Sequence, residues 1–214
     1  MESFDIVDAA LLEEQFFARD TVTVARELLG HVLVSMAGGM ITAGRIVETE
    51  AYLGADDLGS HAATKGITKR NRVMYGPPGR AYVYFTYGNH HMLNVVTESE
   101  GVAGAVLIRA VEPMVNTAVM AERRGKETSL TDGPGKLAQA FGIDLTDNGT
   151  VLGEGRLAIY AGRASDFSIG RSGRIGLSFG HELPLRFYVN GNVHVSKAKT
   201  GPALSHGRGK GRTN

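Results

Sequence analysis

Arg45-Ile46-Val47-Glu48-Thr49-Glu50-Ala51-Tyr52 is a strand-like run that carries two carboxylates and a tyrosine ring. In an extended strand alternate side chains share a face. Ile46, Glu48, Glu50 and Tyr52 are therefore expected on one side, with Arg45, Val47, Thr49 and Ala51 on the other. Acids on an apolar, β-branched strand are costly to bury unless paired or hydrogen-bonded. The pair is thus either a satisfied structural network or a functional site. Upstream, His31-Val32-Leu33-Val34-Ser35-Met36 reads as a strand that Ala37-Gly38-Gly39 turns back toward Ile41. The acids then lie on the long partner of a hairpin. Short strands joined by turns outnumber βαβ patterns in the rest of the chain. This predicts an α+β fold: a single domain with a curved, mainly antiparallel β-sheet, surrounding helices and one protruding β-hairpin.

The 214 residues, 43% of them hydrophobic, can bury a full core. There is no long apolar run, and Glu2, Asp5 and Asp8 interrupt the opening residues, so a soluble cytoplasmic protein without a membrane partner is expected, nucleoid-associated if bacterial. The chain has no cysteine, which excludes disulfides, thiol catalysis and thiolate metal sites. A net charge of +1 conceals an acidic start and a basic end at Lys197, Lys199, Arg208, Lys210 and Arg212. Residues 1–196 read as one domain, and 197–214 as a flexible basic tail that adds non-specific phosphate attraction.

Along the chain, Asp20 or Thr21 caps a helix that Gly30 ends. Residues 53–68 form a polar loop containing His61. Thr68 caps a short helix bearing Lys69, Arg70, Arg72 and Met74, an anion-facing turn or a solvated charged face. The run Arg80 to Val96 places Tyr82, Tyr84 and Tyr87 on an aromatic hairpin with a tight tip near Gly88-Asn89. Tyr82 and Tyr84 share a face, whereas Tyr87 stands where strand gives way to turn, able to project as a wedge between stacked bases. The alternative is an ordinary aromatic core strand. Asn94 must find partners if buried, and no histidine cluster has ligand spacing, so no metal is predicted.

Arg109 stands inside the apolar strand Ala105 to Val111. A guanidinium there needs a carboxylate or a ligand, and Glu50 or Glu48 is the candidate partner. Pro113 is expected to open a helix that Gly125 stops. Thr131-Asp132-Gly133-Pro134-Gly135-Lys136 leads into a second helix whose N-terminus is either a phosphate seat or a plain cap. Residues 163–180, rich in Gly, Ser and Arg, read as a loop lining a nucleic-acid face. Leu185 to Val189 and Val193 to Ser196 flank an Asn-Gly turn signal and are predicted to pair as a second hairpin.

Taken together, Glu48 to Gly54, His61, Arg70-Asn71, Tyr82-Val83-Tyr84, Tyr87-Gly88, Asn94, Arg109 to Pro113, Gly133 to Leu137 and Pro184 to Tyr188 resemble the alkyladenine (3-methyladenine) DNA glycosylase family, in consistent order from about Leu28 to Ser196. The resemblance implies a monofunctional hydrolase acting on double-stranded DNA with damaged purines, as a monomer and without cofactor. By the same resemblance, Glu50 is the general base for the water attacking C1′, and Arg109 helps hold that water and acid. Tyr52, His61, Tyr84 and Asn94 form the pocket for the flipped base, and Tyr87 fills the gap in the duplex. Arg70, Arg72 and Lys136 are assigned to the DNA backbone. The residue two after the tip tyrosine is often apolar in the family but is Asn89 here. Two other readings are an O-glycoside hydrolase using Glu48 and Glu50 as an acid–base pair, and a binding module that senses distortion without cutting.

Overall fold

The computed structural model describes residues 9–63, 66–86, 88–162 and 166–197. Its strands are β1 (Val32–Ser35), β2 (Thr42–Tyr52), β3 (Ala81–Thr86), β4 (His90–Val96), β5 (Ala105–Val115), β6 (Leu157–Tyr160), β7 (Ile169–Ser172) and β8 (Arg186–Val189). Its helices are α1 (Glu14–Phe17), α2 (Thr21–Glu27), α3 (Thr117–Arg124) and α4 (Pro134–Phe141). All strand pairs are antiparallel, in one curled sheet ordered β3-β4-β5-β2-β1-β6, with β8 joining β2 and β7 joining β8. This is the expected α+β architecture. The hub is β2, which holds β5 along one edge while β1 and β8 share the other.

The main core lies between the sheet and the helices. Phe17, Val24 and Leu28 from the N-terminal helices, Met120 from α3 and Leu137 and Phe141 from α4 pack with Val47, Ala51, Val95 and Ile108. Thr49 ties the hub strand to α2 by donating its hydroxyl to the Ala25 carbonyl at 2.6 Å. A smaller cluster of Ala62, Met74, Tyr82, Val96, Ala103 and Ala105, with Tyr84 against it, forms separately. The helix ends follow the sequence: Asp20 accepts the Thr23 N–H, and Gly125 closes α3 at φ 62°. Among the described residues, no helix is long and apolar enough to cross a membrane.

Five local expectations are corrected. Strict alternation along β2 is broken, because Ile46 pairs with Val111 but Glu48 with Ala110 and Thr49 with Ile108. Val47 and then Arg109 are each the extra residue of a bulge, so Ile46 and Val47 both enter the main core. The turn after Thr68 is only a 3-10 segment, Arg72–Tyr75, since the Thr68 side chain bonds Asn71 and fixes a tight loop instead of a longer helix. Pro113 opens no helix: it continues β5, and α3 begins after Asn116. β4 covers only Ala105 to Leu107 of β5, so the missing N–H of Pro113 interrupts no pairing on that edge. The stretch 163–180 is not all loop, for it contains β7. That strand, and not Val193–Ser196, pairs with β8, because the backbone of Ser196 is drawn to Glu48. Residues 198–214, most of the predicted tail, lie outside the described residues.

Candidate active site

The bulge at Arg109 brings its guanidinium to both acids of β2. Arg109 Nε donates to Glu48 Oε1 at 3.0 Å and Nη1 to Glu50 Oε2 at 3.3 Å. Glu48 is then saturated, since Oε1 also accepts Arg186 Nε at 2.6 Å and the Ser196 hydroxyl at 2.7 Å, and Oε2 accepts the Ser196 N–H at 2.7 Å. Glu50 is held differently. Its Oε2 also accepts the Tyr52 hydroxyl at 2.9 Å, and its Oε1 accepts the Ile175 N–H at 2.8 Å.

Neither acid has exposed surface. Tyr52, Ile175 and Arg109, the three donors around Glu50, all line an open cavity of about 710 Å³ together with His61, Tyr84, Met92, Leu107, Pro134 and Leu177. A narrower recess of about 330 Å³ adjoins it through Tyr52, His61, Tyr84 and Leu177, and is floored by Gly59, Met74, Tyr82, Asn94 and Ala105. Glu50 thus sits one side-chain layer beneath the cleft. Glu48 lines neither cavity and contacts it only through Arg109.

The electrostatics follow the burial. Desolvation raises the Glu50 carboxyl above its ordinary value, against the lowering effects of Arg109, the Ile175 N–H and the Tyr52 hydroxyl. Desolvation and the neighbouring Glu50 push the Tyr52 phenol well up, so it stays a donor. Burial would strip charge from Arg109, but Glu50 and Glu48 outweigh it and the guanidinium is held protonated. Burial, then Arg70, lower His61 and keep it neutral, while burial raises Tyr82 to about 12.

The aromatic walls come from two elements. Tyr82 and Tyr84 share a face of β3 with ring centroids 5.4 Å apart, and His61 meets the Tyr84 ring edge-on at 4.7 Å. His61 Nδ1 is 3.0 Å from the Tyr82 hydroxyl, which anchors the loop histidine to the sheet. Asn94 is buried beside them and donates to the Tyr82 carbonyl at 3.1 Å.

Of the residues singled out in the sequence, Glu50, Tyr52, His61, Tyr84, Asn94 and Arg109 converge on this cleft. Arg70 lies exposed with its guanidinium 4.7 Å from the Tyr84 ring centroid, and Arg72 is exposed at the following turn. Lys136 is engaged with Asp132 at 3.1 Å and Ser129 at 2.8 Å, two residues beyond the lining Pro134. Tyr87 lies outside the described residues. Ile175, Leu177, Gly59, Asp57, Arg174 and Arg186 were not anticipated individually. The first two belong to an Ile-Gly-Leu run inside the Gly-, Ser- and Arg-rich stretch 163–180, which also holds Phe167, Ile169 and Phe179, so no local pattern marks them. Among the described residues, no group of three or more His, Asp or Glu side chains is placed to hold a metal.

Comparison with known proteins bears on what this cleft serves. The family model described as methylpurine-DNA glycosylase (MPG) matches residues 15–193. A relative from Chlorobaculum parvum is 48% identical over 194 residues, covering 89% of this chain and 92% of its own. One from Methanoculleus marisnigri is 48% identical over 192 residues, covering 87% and 98%, and one from Carboxydothermus hydrogenoformans is 48% identical over 191 residues, covering 87% and 99%. Each carries the words "3-methyladenine DNA glycosylase" in its name. Matched over nearly its whole folded length, from α1 to the turn after β8, the chain belongs to the methylpurine-DNA glycosylase family and is a DNA glycosylase that acts on alkylated bases.

Proposed function

We propose that this glycosylase swings an alkylated or otherwise damaged purine out of duplex DNA into the slot between Tyr52 and the His61–Tyr84 pair. Glu50 and Arg109 then direct a water onto C1′ to leave an abasic site. The observation that carries this reading is the Glu50 carboxylate lying directly behind cleft-lining Tyr52, Arg109 and Ile175, bonded to all three. A water entering from the cleft between those groups reaches the acid. There the acid accepts the proton, and its negative charge favours an oxocarbenium-like transition state.

The pocket chemistry supports the substrate class. A base must leave the stack before an enzyme can act on it, and damaged or mispaired bases cost less to extrude. Purines alkylated at N3 or N7 are cationic and leave readily, so one carboxylate and a water suffice. Stacking on tyrosine adds cation–π attraction of about 0.5–2 kcal/mol. Tyr87 is assigned to the gap in the duplex, and Arg70, Arg72 and Lys136 to phosphates, with Lys136 exchanging Asp132 for its phosphate. The protein acts as a cytoplasmic monomer. The reaction is monofunctional, because among the described residues no lysine lines the slot to form an imine.

An acid–base pair of Glu48 and Glu50 is disfavoured, since Glu48 is spent on Arg109, Arg186 and Ser196 and lines neither cavity. The deciding experiment is base release from duplex carrying an alkylated purine. Glu50→Gln is expected to bind this duplex and release no base, whereas undiminished release removes Glu50 from the role. Binding without release by the wild type would leave a damage sensor.

A further inference from the structure

Arg174 occupies a place where a guanidinium is seldom dry. It lies in the Gly- and Ser-rich loop between β7 and β8, yet is only 4% exposed. Its fork meets both carboxylate oxygens of Asp57 at 2.5 Å, the bidentate geometry that arginine offers and lysine cannot. Nη1 also donates to the Ala51 carbonyl at 2.9 Å and Nη2 to the Gly180 carbonyl at 3.0 Å. Asp57 in turn accepts the N–H of Leu53 at 3.1 Å and of Gly59 at 3.0 Å. The guanidinium carbon stands 4.7 Å from the Tyr52 ring centroid.

The socket is cut to this side chain. A Cβ on Gly59 would fall 2.5 Å from Arg174 Nη2, and one on Gly180, whose φ is 67°, would fall 2.9 Å from the same atom. One residue along the chain from Arg174, the Ile175 N–H bonds Glu50. Two separate loops therefore meet at one ion pair, and each delivers a group to the acid: Tyr52 lies at the head of the first, and Ile175 belongs to the second.

We propose that the Asp57–Arg174 pair is a clamp that positions Tyr52 and the Ile175 N–H around the Glu50 carboxylate, which makes Arg174 a positioning residue for the hydrolysis. The inference rests on the reading of Glu50 as the base. Buried ion pairs contribute little net stability and are often replaced by neutral side chains without loss of the fold. Their value here is geometric, because the bidentate contact fixes the distance and the angle between the loops. Misplacement by about 1 Å at a reacting centre costs on the order of 100-fold in rate.

The test is single-turnover base release from damaged duplex as a function of pH, with thermal melting and duplex binding measured on the same proteins. The variants are Arg174→Lys, the double variant Asp57→Asn with Arg174→Met, and Glu50→Gln. The double variant is expected to fold and to bind damaged duplex within about threefold of wild type, while releasing base roughly 10- to 100-fold more slowly. Its acidic limb should move up by about one pH unit, because the Ile175 N–H that favours the ionised acid is loosened. Arg174→Lys, which keeps the charge and loses the fork, should show the same shift to a smaller extent, and it decides the matter alone if the double variant does not fold. A folded clamp variant with wild-type rate and an unmoved limb overturns the clamp. That result is separable from failure of the base assignment, which shows as wild-type release by Glu50→Gln whatever the clamp variants do.

Discussion

Glu48 and Glu50 stand two residues apart on β2, are equally buried and share Arg109, but their surroundings give them opposite characters. Glu48 is held by two guanidinium groups and by both the N–H and the hydroxyl of Ser196. Glu50 has one shared guanidinium at the longer distance of 3.3 Å, and its other donors are neutral. A carboxylate neutralised twice over is a strut joining β2, β5, β8 and the segment after β8. One that is desolvated and incompletely compensated keeps an appetite for a proton. With Glu50 as the proposed base, what separates scaffold from chemistry is the donor set, not burial.

The largest expected effect tests the chemical half of this contrast. Glu50→Gln should lower the single-turnover rate of base release by about 10²–10⁴-fold, the usual contribution of a general base. Its loss of stability should be smaller than that of any change at Glu48. Next, Glu48→Ala leaves Arg109 and Arg186 buried without their common acid and should cost about 3–5 kcal/mol in urea unfolding. A cost below about 1 kcal/mol would erase the distinction between the two acids.

The pH profile sharpens it further. Because burial raises the Glu50 carboxyl, base release should fall with decreasing pH along a limb lying above the 4.5 of an ordinary glutamate. Stability carries the other sign. A carboxylate whose folded pKa exceeds its unfolded one burdens the fold above that folded pKa, and the burden lifts as pH falls through it. Release by a wild-type protein that stays folded and unchanged down to pH 4.5 would show that the acid is not desolvated in the way described.

The smallest effect supplies a control that involves neither acid. His31 accepts the Gly162 N–H on Nδ1 at 3.0 Å, and burial lowers its pKa, as it does for His61. Groups with depressed folded pKa values give stability that is complete above 6.5 and fades as pH falls through the folded value. The thermal midpoint should therefore drop between about pH 7 and about pH 5, and His31→Gln should shallow that slope. An unaltered slope would assign the acid sensitivity to another group with a depressed folded pKa, His61 first among them.

Much of this arrangement was legible in local sequence. The hub strand, the Tyr82–Tyr84 face, the cap at Asp20 and the helix stop at Gly125 all follow from periodicity and turn chemistry within a few residues. The need of Arg109 for a carboxylate follows from charge alone. The failures have a common cause as well. The Asn-Gly signal predicted a hairpin, but Ser196 satisfies Glu48, 148 positions away, and β8 takes β7 as its partner instead. Alternation along β2 failed where paired bulges turned Arg109 toward the acids.

The amino-acid sequence by itself determined that a β-rich domain would carry two acids, a cluster of tyrosines and a buried arginine, because alternation and turn preference act between near neighbours. Only the tertiary structure decided which acid faces the cleft and what covers it. The Ile175 N–H lies 125 positions from Glu50, and Arg174 lies 117 from Asp57. Hydrogen-bond partners at such separations are chosen by how strands stack and loops meet in space, and no local pattern encodes that choice.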